Sequence, residues 1–322
     1  MTQPRRIVLD TDPGIDDALA ILLALGSPEV ELAAITVTGG NCSMEQGVRN
    51  ALAVLDIVDA TTPVVPGVAL PLIRPPFTAP ETHGDAGLGN AHLPEPGLTP
   101  ATDHAVDRIV REIMDASVPV TLVAIGPLTN VALAIRHEPR IVERVSEVII
   151  MGGAFDVPGN TTPLAEFNVY VDPHAAYIVF HSGMPMTLLP WDITSKVLLT
   201  QAHVDELLAI ASPVTRFIAD ATSFYIDFHR QHFGYAGCSI NDPCAVALAW
   251  LPELAQTEAV FVDVEIDSAK SMGKTFADVH KALPQPANMR LVRAFDSDAF
   301  VTLFTERMAK LARSFPQDGI AT

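Results

Sequence analysis

The sequence predicts an α/β fold: an open, mostly parallel sheet with helices on both faces. Three observations predict it. Short apolar runs rich in Val and Ile alternate along the chain with amphipathic helical patterns. Most of these runs are apolar throughout, as strands covered on both faces are. The segments that follow them are rich in Gly, Asp and Asn, and ligands of such sheets bind beyond the carboxyl ends of the strands. The 322 residues are 49% hydrophobic and 18% charged, enough to bury one large core or two smaller ones.

Strands are expected over residues 7–10, 32–37, 118–125, 148–151, 186–189 and 260–266. Helices are expected over 16–25, 45–57, 103–117, 129–138, 172–182, 202–211 and 242–250. Residues 71–100 are rich in Pro and Gly and too long for an ordinary connection, which marks a functional loop or lid. Residues 213–237 form a second excursion, helical in pattern and unusually aromatic. The tail after Phe315 is expected to fray. Trp191, at a strand end, and Trp250, in a helix, are expected in the core.

Several function classes are disfavoured. No apolar run reaches the length of a membrane span. A strand expected so soon after Met1 leaves no room for a secretory signal. The net charge of -18 argues against a nucleic-acid surface. Cys42, Cys238 and Cys244 are odd in number and lack metal spacing, so they are expected as buried free thiols in a reducing, cytoplasmic compartment.

The chemistry is concentrated in LDTDPGIDDALAILLAL, where Asp10, Asp12, Asp16 and Asp17 fall within eight residues. Two carboxylates about 4 Å apart repel by roughly 4 kcal/mol at an effective dielectric near 20. Such a crowd stays ionised only beside a cation, and all-oxygen ligation points to Ca²⁺ or Mg²⁺. Asp12 and Asp17 flank a Pro-Gly turn that can fold them toward one point. Asp16 would open the following helix, where a carboxylate also suits the dipole. Singly, Asp10 or Asp16 could be a mere cap; four together are not explained that way. A phosphatase with paired aspartates would want a small, hydroxyl-rich loop next, and none follows.

Other strand ends join this crevice. TGGN brings Asn41, and the turn after the third strand brings the carbonyls near Ile125. In GNTTPLAEFNVYVDPHAA, Asn160, Glu166 and Asn168 suit hydrogen bonding to several sugar hydroxyls, although a solvated loop would read the same. Asp242, before Pro243, stands at a helix start and taken alone is an ordinary cap.

Read in order, DTDPGIDDALA, TGGN, GPLTNVALA, MGGAF, GNTTPLAEFN with its DP, and NDPCAVA closely resemble the nucleoside hydrolases of the inosine–uridine-preferring type. The first block resembles that family's DxDPGxDDxxA motif, which is highly specific. The resemblance runs from Ile7 to about Phe304. It implies a single domain on a Rossmann-like sheet, with variable loops at about 71–100 and 213–240 over the site. It implies hydrolysis of ribonucleosides to ribose and free base, one Ca²⁺, and a homodimer or homotetramer. The implied metal ligands are Asp12, Asp17, the backbone carbonyl of Ile125, and Asp242. Asp16 and Asn168 would hold the 2′-hydroxyl, Asp17 and Asp242 the 3′-hydroxyl, and Asn160 and Glu166 the 5′-hydroxyl. Asn41 would sit beside the nucleophilic water, with Asp12 as its general base. Phe167 would lie near the base of the nucleoside, and Asp10 would help to orient the site.

One position departs from the pattern. Where many relatives carry His before the late Asp, this chain has Asn241, and an amide cannot deliver a proton. The acid for the leaving base would then come from Tyr225, His229, Arg230, His232 or Tyr235. His229 is the first choice, since a neutral-range pKa suits an acid and it shares a helix face with Tyr225. Asn241 itself is expected to contact base or sugar, and His83 could reach the base. Three readings follow: a ribonucleoside hydrolase, a hydrolase of another N-riboside such as nicotinamide riboside, or a ribonucleoside-binding protein with weakened catalysis.

Overall fold

Ile7, Val8 and Leu9 are wholly buried in the strand that organises the molecule, β1 (Arg5–Thr11). The computed structural model describes residues 3–316. Five further strands follow in the parallel run: β2 (Val30–Val37), β3 (Val64–Pro66), β4 (Val120–Ala124), β5 (Glu147–Met151) and β6 (Met186–Leu189). The short β7 (Leu198–Thr200) and β8 (Gly237–Ser239) form an antiparallel ladder of their own. The last four strands are β9 (Ala255–Val260), β10 (Val262–Val264), β11 (Thr275–Ala277) and β12 (Met289–Phe295). The central sheet has eight strands in the order β3-β2-β1-β4-β5-β6-β12-β9. All its neighbours pair in parallel except β9, which closes one edge antiparallel to β12. A separate apolar core lies on each face of the sheet.

The chain runs outward from β1 in one direction to β3, then returns to β4 on the other side. The order therefore reverses between β1 and β4, and ligands of open α/β sheets bind at such a point. The crevice opens above Asp10, which pairs with Ala124 in register. The Ile125 N–H donates to the Asp10 carbonyl at 2.8 Å, so the carboxyl ends of β1 and β4 are held level.

Most expected elements form, with three differences. The helix expected from Asp16 is Ile15–Leu25, and its N-cap is Gly14. Asp17 closes that helix end by accepting the Gly14 N–H at 2.9 Å, so Asp16 lies inside the first turn and does not open it. The apolar run 260–266 is not one strand. Its start ends β9 in the central sheet, and β10 leaves to pair with β11, because a single apolar run carries no mark of where the chain bends. Third, β3, most of β9, β12 and the helix Ser297–Ser314 complete the sheet and its cover without having been read from the sequence, and the β7–β8 ladder was likewise unread. In β12 the buried Met289 and Leu291 alternate with Arg290, and Arg290 reaches Thr187 and Glu147 on the neighbouring strands. The expected fraying of the tail falls largely on residues 317–322, outside the described residues.

The two excursions lie against each other. Residues 71–100 contain one short helix, Pro80–His83. Gly89 (φ +58°) lies so close to the long helix Pro213–Phe233 that a Cβ there would meet the Ala221 carbonyl at 2.7 Å. Asp172 anchors the start of this loop. Its Oδ2 accepts the Leu72 N–H at 2.9 Å and the Thr129 hydroxyl at 2.8 Å, and its Oδ1 caps the next helix through the Ala175 N–H at 3.0 Å. The long helix begins at the Ser212 cap with Pro213 in its first turn, and ends at Gly234 in the left-handed conformation (φ +71°).

Asp172→Ala should lower unfolding free energy by about 3 kcal/mol, since two buried donors and one half-buried donor lose their acceptor. Urea denaturation measures this, and a loss below about 1 kcal/mol would refute the anchoring role.

Candidate active site

The end of β1 and the first turn of the next helix bring Asp10, Asp12, Asp16 and Asp17 to the crevice floor, all buried. Asp17 is the most fully bonded. Its Oδ1 accepts the Thr11 hydroxyl at 2.5 Å and the Asp12 N–H at 3.3 Å. Its Oδ2 accepts the Gly14 N–H and the Asn41 amide, each at 2.9 Å. Asp12 Oδ2 accepts the Asn41 N–H at 2.7 Å, whereas its Oδ1 is buried without a partner. Glycine surrounds this carboxylate for a steric reason. A Cβ at Gly40 would meet Asp12 Oδ2 at 2.0 Å, and one at Gly126 would meet Oδ1 at 2.6 Å. Asp10 turns away from this turn, its Oδ1 accepting from Thr36 at 2.6 Å and Asn130 at 2.9 Å.

The helix Asn241–Leu248 brings Asp242 to the same place. Oxygens of Asp16, Asp17 and Asp242 all lie within 4.8 Å of one another, which defines a site that could hold a metal ion. Asp12, expected among the ligands, is not in this trio, and Asp16, expected on the sugar, is. Burial pushes the carboxyls up: Asp10 to about 7, Asp16 to about 6, and Asp12 and Asp242 well above the usual range. For Asp12 and Asp242 the neighbouring carboxylates push further in the same direction. Such a concentration of buried negative charge, with an oxygen left unpartnered, fits a hard cation.

The sugar-type residues also meet, in altered roles. Glu166 is buried, and its carboxylate accepts the backbone N–H groups of Asn168 (2.8 Å), Gly153 (2.8 Å) and Val169 (3.2 Å). It therefore builds the loop as well as lining the cavity. Asn160 Oδ1 accepts the Phe167 N–H at 2.9 Å, which leaves its amide N–H groups free. Asn168 donates to the carbonyls of Ile125 (2.9 Å) and Met151 (3.2 Å), which leaves its Oδ1 as an acceptor.

At the other end of the cavity the residues expected near the leaving base are engaged by the protein itself. His229 lines the cavity, but both its ring nitrogens are engaged. Nδ1 faces the Tyr225 carbonyl at 2.9 Å and so carries the proton, and Nε2 accepts from the Ser239 hydroxyl at 2.8 Å. Burial lowers its pKa to about 4, so the ring is neutral and has no proton to give. Asn241 does not offer its amide N–H to a ligand. Nδ2 donates to Asp16 at 2.8 Å and to the Tyr225 hydroxyl at 3.4 Å. The flipped amide would set oxygen against carboxylate, so Asn241 Oδ1 is the buried atom left without a partner. Trp191 is buried yet borders the cavity. His83 also lines it, its Nδ1 accepting the Ile15 N–H at 3.1 Å, and burial lowers its pKa to about 4.

Sequence reasoning missed the residues that hold the site in place: Thr11, Thr36, Asn130 and Ser239. Each is a small polar side chain at or near the end of its element, a weak signal but a readable one. Asn130 links the loop Val68 N–H (2.9 Å) to Asp10.

Residues 7–302 match the family described as inosine-uridine preferring nucleoside hydrolase, and the chain belongs to that family. It is an N-glycosidase of the ribonucleoside hydrolase class. The pyrimidine-specific ribonucleoside hydrolase RihA of Enterobacter sp. (strain 638) is 38% identical over 308 residues, 95% of this chain and 98% of that one. The purine-preferring ribonucleoside hydrolase from Gardnerella vaginalis superposes with a TM-score of 0.92 at 34% identity, covering 96% of this chain and all of that one (100%). An inosine-guanosine nucleoside hydrolase superposes with a TM-score of 0.87 at 28% identity, covering 98% and 100%.

Gly126→Ala should cut kcat/KM by at least about tenfold through displacement of Asp12, with little loss of stability. Unchanged kinetics would show that Asp12 can move without harm. A second expectation concerns pH. The folded pKa of His229, about 4, lies below its ordinary 6.5. Above pH 6.5 it is neutral in both states and contributes no slope. As pH falls from 6.5 to 4 the unfolded chain gains a proton that the folded chain does not, so stability drops. The slope from this group is at most about 1.4 kcal/mol per pH unit. Comparing His229→Gln with the parent by urea denaturation across that window should show the slope reduced.

Proposed function

We propose that this chain is a Ca²⁺-dependent ribonucleoside hydrolase whose crevice holds the ribose between the carboxylates of β1 and the 160–168 loop. The observation that carries the reading is the trio of Asp16, Asp17 and Asp242 beside the unpartnered Asp12 Oδ1. Asp12, Asp17, Asp242 and the Ile125 carbonyl would hold the ion. When bound, it would lower the pKa of a water and gather the ribose diol.

The chain's own residues do the rest. Asp12 Oδ1 accepts the proton of the attacking water. Asn41 fixes Asp12 through its backbone N–H and Asp17 through its side chain, beside the position of that water. Asp16 and Asn168 hold the 2′-hydroxyl, whose single proton goes to one of them, and Asp17 and Asp242 hold the 3′-hydroxyl in the same way. Asn160 donates to the 5′-oxygen, and Glu166 keeps lone pairs for the same hydroxyl. Phe167 and His83 flank the aglycone, over which the 71–100 and 213–240 segments lie. As the C1′–N bond lengthens, positive charge grows on the ribose, and the ring of carboxylates stabilises it. A reducing, cytoplasmic setting fits the three cysteines, all buried and unpaired. Assembly into a homodimer or homotetramer fits the exposed Leu70 and Ile73.

Chelation should abolish hydrolysis of p-nitrophenyl riboside, and Ca²⁺ should restore it; full turnover by metal-free protein would overturn the assignment. Asp12→Ala should lower kcat about 10²–10⁴-fold, the usual worth of a general base. 2′-Deoxyuridine should be cleaved at least about tenfold less efficiently than uridine, since its loss leaves Asp16 and Asn168 unpaired. Comparable kcat/KM values would remove the 2′-hydroxyl assignment.

A further inference from the structure

The cavity is rich in aromatic rings beyond the carboxylates that hold the ribose. The side chains of Phe167, Trp191, Tyr225, Phe228 and Phe233 line the cavity, whose carboxylates Asp16, Asp242 and Glu166 are those assigned to the ribose and the ion. No lysine or arginine lines it among the described residues. We propose that the preferred substrates are N-ribosides whose aglycone is a ring cation, of the pyridinium or N-alkylated purinium class. This rests on the hydrolase reading above and adds the chemical class of the leaving group.

The argument is one of charge balance. Cleavage sends the electron pair of the C1′–N bond to the aglycone nitrogen, and water oxygen bonds to C1′. A neutral nucleoside then releases an anion unless a proton reaches its ring. A ring cation becomes a neutral base with the same electron pair, and the only proton to move is the one water gives to Asp12. Riboside cation and water therefore yield ribose, neutral base and a proton.

The cavity is poorly built for the first case. Asn241 is an amide whose two N–H groups are taken by Asp16 and Tyr225. His229 has its proton on the Tyr225 carbonyl and its other nitrogen on Ser239. His83 has Nδ1 on the Ile15 N–H, so its Nε2–H can donate a hydrogen bond only as a neutral ring. Burial favours the neutral form of the His229 imidazole. A departing anion would meet π faces, which are of the wrong sign. A ring cation meets them favourably, since aromatic faces attract cations.

The test compares kcat/KM for nicotinamide riboside, uridine, inosine and p-nitrophenyl riboside in the presence of Ca²⁺. Nicotinamide riboside should exceed both uridine and inosine by about 10²-fold or more, the usual worth of the missing acid. A smaller ratio to either overturns the inference while leaving the hydrolase reading intact. No cleavage of any of the four, p-nitrophenyl riboside included, overturns both. The charge itself is tested with 1,4-dihydronicotinamide riboside, which keeps the shape and loses the cation. It should compete with p-nitrophenyl riboside with a Ki at least about threefold weaker than that of nicotinamide riboside. Equal inhibition would overturn recognition of the cation. Asn241→His should narrow the nicotinamide riboside to uridine ratio; a ratio unchanged in a variant that still cleaves p-nitrophenyl riboside would also overturn the inference.

Discussion

Five carboxylates, Asp10, Asp12, Asp16, Asp17 and Asp242, are buried around one crevice, and much of the surrounding structure provides donors for them. Burial disfavours each charge, and proximity of the others disfavours Asp12 and Asp242 further. The chain answers with backbone and small polar groups. Asp17 receives four donors, from Thr11, Asp12, Gly14 and Asn41. Asp10 receives two, and Asp16 is tied to Asn241. Asp10 Oδ2 and Asp12 Oδ1 remain without a partner, and around Asp12 the glycines Gly40 and Gly126 leave no side chain in the way.

This demand explains the topology around the crevice. Carboxylates from separate elements converge where the connections leaving β1 and β4 run in opposite directions, at the reversal of the sheet order. The first helix adds its N-terminal turn, whose free N–H groups suit negative charge. Asn41 serves two masters there, holding Asp12 by its backbone and Asp17 by its side chain. The loop residues carry a comparable double duty. Glu166 takes three backbone N–H groups and still borders the cavity, so the wall that would face a sugar is itself built on a carboxylate.

The far end of the cavity follows another logic. The long helix brings Tyr225, Phe228, His229 and Phe233 into one aromatic cluster, with Tyr225 and His229 ring centroids 4.3 Å apart. Ser239, on the ladder preceding Asn241, fixes the His229 ring from the other side. These rings are tied to the backbone rather than left free to exchange protons. Relatives named for pyrimidine and for purine specificity each match nearly the whole chain.

The parallel α/β fold, the family and the gathering of carboxylates were legible in the sequence. Continuous apolar strands, Asp-rich and Gly-rich strand ends and ordered motif blocks are local patterns, and local patterns survive in one dimension. Three things were decided only in three dimensions. The apolar run 260–266 divides between two sheets because strand partners are remote in sequence. β12 was missed because its alternating Arg and apolar residues resemble an exposed strand until its neighbours are present. The state of His229 was misjudged because a histidine's proton is set by what its two nitrogens touch. One of those contacts, Ser239, lies on a different element ten residues away. Sequence determined which chemical groups the chain has to use; the tertiary structure decided which of them are already satisfied by the protein, and so which remain for a ligand.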